Sequence, residues 1–296
     1  MRYLTLLSYV LTGVFCSLAN ATDTVRYNIA QSVYDPKQAY YLSVLQLALE
    51  KSAHKYGDFQ LIPLSLDEAP QGRTLDLLAN KNVLDVHWSV TSIEREQQLG
   101  TVYIPLMRGL MGARLFLIHK DNTQSFAKLQ NAQKLKQYSF GSGIDWPDTK
   151  IYERNDIVVA TSDSSHLHDM LAQKRFDLFP RALHEPWGEI ANRAQLVVED
   201  NFVLCYPTAM YFFVNKDNHR LRKRLTYGLE KAIADGSFEK RWLANPIIAQ
   251  ALMKSHVSDR TVLKIKNPYM SIRTRDTLKV ARYLYQPLQS CVQPSL

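Results

Sequence analysis

Thr91 and Glu94 stand three residues apart, immediately before Arg95. This is capping-box spacing, in which a hydroxyl and a carboxylate satisfy free N–H groups at a helix start. A helix N-terminus with an arginine in its first turn suits an anion, because the amides point at the ligand and the guanidinium grips a carboxylate with two parallel hydrogen bonds. Trp88 and Ser89 precede this turn at a strand end, where an open α/β sheet presents its crevice. Trp88 is expected to wall the site and Ser89 to line it. Tyr34 holds the corresponding position beyond the first strand. The bland alternatives are a capped surface helix with a solvated arginine and aromatic side chains in ordinary core packing.

A second candidate is the run Gly141-Ser142-Gly143-Ile144-Asp145-Trp146-Pro147-Asp148-Thr149. It follows a strand and precedes a helix, so Ser142 and the glycine amides are expected to cradle an anion, with Trp146 as a ligand wall or lobe contact. A tight loop needing positive φ explains the glycines equally well. His166 and His168, with Asp163 and Asp169 nearby, raise a metal site; they read instead as a solvated helix start capped by Ser164 and Ser165, so no metal is assigned. His184 and Glu185 are the nearest acid–base pair. No paired carboxylates or nucleophile elbow accompany them, and no catalytic residue or cofactor is assigned.

The elements that must position these residues alternate. Strands are expected at Val25–Ala30, Phe59–Leu64 and Val83–Trp88, with helices after Asp35-Pro36 and over Leu75–Ala79. Leu115–His119 and Tyr211–Val214 are two similar apolar runs, and between them lies a second unit: strands at Tyr138–Gly141, Ile157–Ala160 and Phe176–Phe179, with a helix over Leu167–Ala172. The pattern predicts an α/β protein of two lobes joined by two crossover strands, with 22–116 plus 214–296 as lobe 1 and 117–213 as lobe 2. Arg220–Leu243 reads as an amphipathic helix broken at Asp235-Gly236, and the extension 244–296 is expected to return to lobe 1.

Arg2, the apolar run Leu4–Leu18 and Ala19-Asn20-Ala21 have the order of a secretory signal, so cleavage after Ala21 and a periplasmic, monomeric product are expected. The net charge of +8 is scattered in short clusters, which favours anionic partners only weakly, and no nucleic-acid-binding motif appears. Of the two cysteines beyond the signal, Cys205 lies in an apolar run with Cys291 far along the chain, and a buried free thiol is expected rather than a bridge.

Leu84-Asp85-Val86, Thr91-Ser92-Ile93-Glu94-Arg95, Ile104-Pro105-Leu106 and Gly109-Leu110, followed by Arg175-Phe176-Asp177-Leu178 and Ile233-Ala234-Asp235-Gly236-Ser237-Phe238, resemble in order the polar amino-acid-binding family of bacterial extracellular solute-binding proteins. The resemblance covers about residues 25–243 and implies the type II periplasmic-binding-protein fold, closing over a small-molecule ligand for delivery to a membrane transporter or a sensor. It implies that Arg95 binds the ligand carboxylate. An acidic residue is usual in that family shortly after the second-lobe aspartate strand, whereas this chain reads Phe179-Pro180-Arg181-Ala182. Arg181 is therefore expected to face the cleft opposite Arg95, and the ligand to be anionic. The alternative is a periplasmic enzyme on the same fold, such as a dehydratase-like protein.

Overall fold

The computed structural model describes residues 22–29, 36–66, 71–80, 83–127, 129 and 131–293. The expected signal at 1–21 and the candidate Tyr34 lie outside these residues. Strands among the described residues are β1 (Asp23–Asn28), β2 (Phe59–Leu64), β3 (Val86–Val90), β4 (Leu99–Val102), β5 (Ala113–His119), β6 (Ser139–Gly143), β7 (Val158–Ser162), β8 (Phe179–Ala182), β9 (Leu196–Val198), β10 (Phe202–Cys205), β11 (Met210–Asn215) and β12 (Thr261–Lys264).

Alternation along β1 turns Val25 and Tyr27 inward and leaves Thr24 exposed. The helix Pro36–Tyr56 then buries Tyr41, Val44, Leu45, Ala48 and Leu49 on one face, and so returns the chain to β2 in parallel with β1. The first sheet has the order β2-β1-β3-β11-β4, with β11 antiparallel to both of its neighbours. The second has the order β12-β10-β5-β8, with β9 also paired to β5. Parallel β6 and β7 stand beside it, tied on by a bridge between Phe140 and Leu178.

Two expectations about the crossings are corrected. Leu115–His119 belongs wholly to the second sheet and Tyr211–Val214 to the first, because each run is hydrogen-bonded on both edges within its own sheet. The chain crosses just before each of them, at 103–112 and 206–209. These segments run side by side, joined by Leu106 N to Met210 O at 2.9 Å and Tyr206 N to Gly112 O at 3.0 Å. The tail makes a further excursion: β12 adds to the edge of the second sheet, parallel to β10, before the chain returns to bury Leu278, Leu284, Leu288 and Val292 in the first core. Arg260 steers this departure, its guanidinium donating to Ser255 O at 2.6 Å and Phe202 O at 3.1 Å. The expectation of a free Cys205 is also corrected, since Cys205 and Cys291 form a disulfide.

The amphipathic run after β11 divides as its sequence indicates, into His219–Ala234 and Ser237–Leu243 around Gly236 in the left-handed region. The first of these helices lies so close to Pro36–Tyr56 that a Cβ on Gly228 would stand 1.8 Å from the carbonyl oxygen of Ala48. Gly228→Ala is therefore expected to lower stability by about 1–3 kcal/mol despite alanine's better helix propensity, because the neighbour is backbone and cannot rotate away. Urea unfolding checks this, and an unchanged midpoint would contradict the packing.

Candidate functional site

The two lobes face each other across a cleft containing adjoining cavities of about 430 and 850 Å3, which share Lys37, Gln71, Trp146 and Glu185 among their walls. The first lobe contributes Trp88, stacked on Tyr41 at 5.4 Å between ring centres. The second contributes Trp146, stacked on Phe179 at 6.3 Å. Trp88 and Trp146 thus both line the cleft.

The capping expectation is corrected by one residue. Ser92, not Thr91, is the N-cap of the helix Ile93–Gln98, accepting from Arg95 N. Glu94 faces outward to Lys150 at 2.9 Å. The Thr91 hydroxyl donates instead to Glu96 Oε1, an acceptor it shares with Thr274 from the tail at 2.7 Å, while Tyr103 donates to Glu96 Oε2 at 3.0 Å. Ser92 is itself a good N-cap residue, and the half-buried Glu96 takes the Thr91 hydroxyl.

Arg95 is buried and its donors are used within the protein. Nη1 donates to Ser89 Oγ at 2.6 Å, Val90 O at 2.7 Å and Gln71 Oε1 at 2.9 Å, while Nη2 reaches across to Asp145 O at 3.1 Å. Burial lowers its pKa to about 10, against the opposing charges of Asp145, Asp148 and Glu94. Ser89 is fully buried as the acceptor of this guanidinium. Neither Arg95 nor Ser89 is among the residues lining the cavities; Arg95 holds Gln71, which is.

The glycine-rich run does not form an anion cradle. Ser142 is buried and accepts from Thr149 Oγ1 at 2.8 Å. Gly143 has ordinary φ, and its missing side chain leaves room for the Trp146 indole, which a Cβ would approach to 2.5 Å. The helix that follows, Pro147–Arg154, carries the chain's own anion in its first turn. Asp148 is buried there, paired with Arg114 at 2.6 Å and hydrogen-bonded by Tyr206. Asp145 accepts from Gly72 N of the first lobe at 2.6 Å, so this loop closes one edge of the cleft.

Arg181 lies within β8 and not after it, because the strand begins at Phe179 where Phe176–Phe179 was expected. Its guanidinium is buried over the rings of Phe179 and Trp146, 4.7 and 4.9 Å from their centres. Both arms are held by Glu189, with Nε to Oε2 and Nη2 to Oε1 each at 2.7 Å, and Glu185 stands at 3.2 Å. Lys37 of the first lobe reaches the same Glu189 at 3.2 Å, as does His168. Burial pushes the Glu189 carboxyl up, but Arg181 and then Lys37 pull it well below the usual range. Arg181 thus lines the cleft, but its charge is met by carboxylates of its own lobe, and Arg95 is not on the cavity wall, so the two do not converge there as free cations. Acidic residues do stand just beyond β8, at Glu185 and Glu189, where the sequence reading assigned no ligand-binding acid.

His168 lies half-buried against Glu189 and not in solvent, and neither Ser164 nor Ser165 caps the helix Leu167–Ala172, whose N-cap is His166. His184 is buried off the cavity walls, and burial lowers its pKa to about 4. Glu185 is committed to Ala182 N at 2.8 Å and to Arg181. The residues that sequence reasoning missed are Lys37, Gln71, Arg114, Asp148 and Glu189. Arg114 alone left a signal, as a single charge near the start of the otherwise apolar run 113–118.

No family model matches the chain, and no curated protein sequence matches it. Solved structures do. An ancestral arginine-binding protein bound to arginine shares 16% identity over 76% of this chain and 98% of its own, with a TM-score of 0.54. A putative binding component of an ABC transporter from Wolinella succinogenes, complexed with lysine, shares 15% over 80% of this chain and 100% of its own, with a TM-score of 0.54. An ancestral amino-acid-binding protein described as a precursor of cyclohexadienyl dehydratase shares 13% over 75% and 94%, with a TM-score of 0.53. The chain thus has the two-lobed α/β fold of periplasmic binding proteins.

Proposed function

We propose that the chain captures a small amino acid between its lobes, for delivery to a membrane transporter or a sensor. The bidentate pair of Arg181 and Glu189 carries this reading, because it removes the second arginine from competition for a dianion. Around the inner cleft Lys37, Arg114 and Arg181 are matched by Asp148, Glu185 and Glu189, and Arg193, the fourth cation of this wall, pairs with Asp169 just outside it at 3.7 Å. A balanced wall suits a zwitterion, whose ammonium and carboxylate each find an opposite charge, whereas a dicarboxylate meets three carboxylates. Trp88 and Trp146 supply apolar walls for the ligand's side chain. The similar structures bound to arginine and lysine support the same class. The reading includes export, for which the expected signal and the disulfide both speak, since such bridges belong to oxidising compartments.

Calorimetry with arginine, lysine, glutamine, glutamate and succinate tests it. Binding of at least one amino acid and none of succinate is expected; the reverse result would end the proposal. Arg95→Ala is expected to weaken amino-acid binding about tenfold or more, because it frees Gln71 and removes the donor to Asp145 O across the cleft. Lysine should restore little, as one ammonium cannot reach four acceptors fixed around a planar fork.

A further inference from the structure

A separate pocket of about 480 Å3 opens on the first lobe and shares no lining residue with the cleft. Three parts of the chain build it. The end of β4 and the residue beyond bring Thr101 and Tyr103, the helix His219–Ala234 brings Arg222, Lys223 and Glu230, and the tail helix Ile272–Thr277 brings Arg273. Glu230 is already committed, to Arg282 at 3.1 Å and to the Tyr283 hydroxyl. The cations are not committed in that way: among the described residues no carboxylate forms an ion pair with Arg222, Lys223 or Arg273. The two guanidiniums are nonetheless held in place. Arg273 lies 4.2 Å over the centre of the Tyr103 ring, a ring itself fixed by its hydroxyl's bond to Glu96 at 3.0 Å. Arg222 contacts His219 Nδ1 through Nη2 at 3.2 Å.

Like charges around one pocket repel one another, and a bound anion removes that repulsion while pairing with all three. A guanidinium stacked on an aromatic face keeps its in-plane donors free and pre-oriented, the arrangement that matches oxyanion geometry. We propose that this pocket binds a small, multiply charged oxyanion, either phosphoryl or polycarboxylate, with Arg222 and Arg273 as forks and Lys223 as a point charge. The site requires the tail, because Arg273 comes from it, and so gives residues beyond the return helix a binding role distinct from the cleft.

Titration calorimetry of the mature protein with pyrophosphate and with citrate tests the proposal. Binding of at least one of them is expected, weakened about tenfold or more in R222Q/R273Q, with amino-acid binding by the cleft unchanged. Absence of binding by both anions, or equal binding by the double variant, would overturn it. Sedimentation with phosphatidylglycerol vesicles separates a free anion from a lipid headgroup: vesicle capture without pyrophosphate or citrate binding would also overturn it. If the double variant does not fold, Lys223→Gln carries the test, since Lys223 is exposed on its helix. A loss of anion affinity supports the site, and an unchanged affinity counts against it.

Discussion

Arg181→Ala is expected to lower stability by about 3–5 kcal/mol, the cost of removing one partner from a buried ion pair and leaving the other uncompensated. Glu189 and Glu185 would remain buried, with Lys37 and His168 still at Glu189 and Arg114 3.9 Å from Glu185, none of which replaces the bidentate guanidinium. The sign of the pH dependence follows from Glu189. In the intact protein its carboxyl is held well below its ordinary 4.5, so its contribution is present above that value and is lost only as pH falls toward the depressed one. In the variant burial dominates and its pKa rises, so the penalty is largest at neutral pH and shrinks as the carboxyl takes up a proton. Denaturant unfolding of both proteins at pH 8 and pH 5 checks both parts. The stability gap should narrow at the lower pH, and a gap below about 1 kcal/mol at pH 8 would show that the cluster is not buried as described. R181M/E185Q/E189Q, which removes the charges together while keeping volume, should recover much of the loss.

Replacing both bridged cysteines by alanine is expected to cost about 2–4 kcal/mol, since the bridge closes a long loop in the unfolded chain. The cysteines are separated by 86 positions. The bridge has a local consequence as well, because it fastens the end of the tail to Cys205, the last residue of β10 before the chain crosses between lobes. Limited proteolysis of the variant should therefore release the segment from about residue 281 onward before the lobes themselves are cut. Equal protease resistance in the variant and the intact protein would mean that packing of Leu284, Leu288 and Val292 alone holds the tail.

Both results depend on pairings that a linear reading could not supply. The strands at Phe59–Leu64 and within Ala113–His119, the helix Leu167–Ala172 and the break at Gly236 were all legible, because each is encoded by residues within one or two turns of one another. The short β4, β9 and β12 were not, having three or four residues each and no room to display a period. Trp146 was legible as a cleft residue because it stands in a loop just beyond a strand, whereas Trp88, read at a strand end, lies in the middle of β3 and lines the cleft from there. Thr91, Ser142 and Arg181 each have the right chemistry for a ligand, but a partner 5, 7 or 8 positions further along claims each of them, and no periodicity marks Glu96, Thr149 or Glu189 as that partner.

What the sequence determined by itself was the alternation of strand and helix, the faces those elements bury, and hence two α/β lobes; periodicity is local, and the hydrophobic effect acts on it without knowing the partner. Only the tertiary structure decided the net charge of the cleft. Arg114 meets Asp148 across 34 residues, Lys37 meets Glu189 across 152, and Cys205 meets Cys291 across 86. A charged side chain in a buried wall must find its counter-charge or remain unstable, and which one it finds depends on how the strands stack and where β8 begins. The same arginine is a ligand anchor in one register and a neutralised strut in another, and the choice is made by distances that exist only after folding.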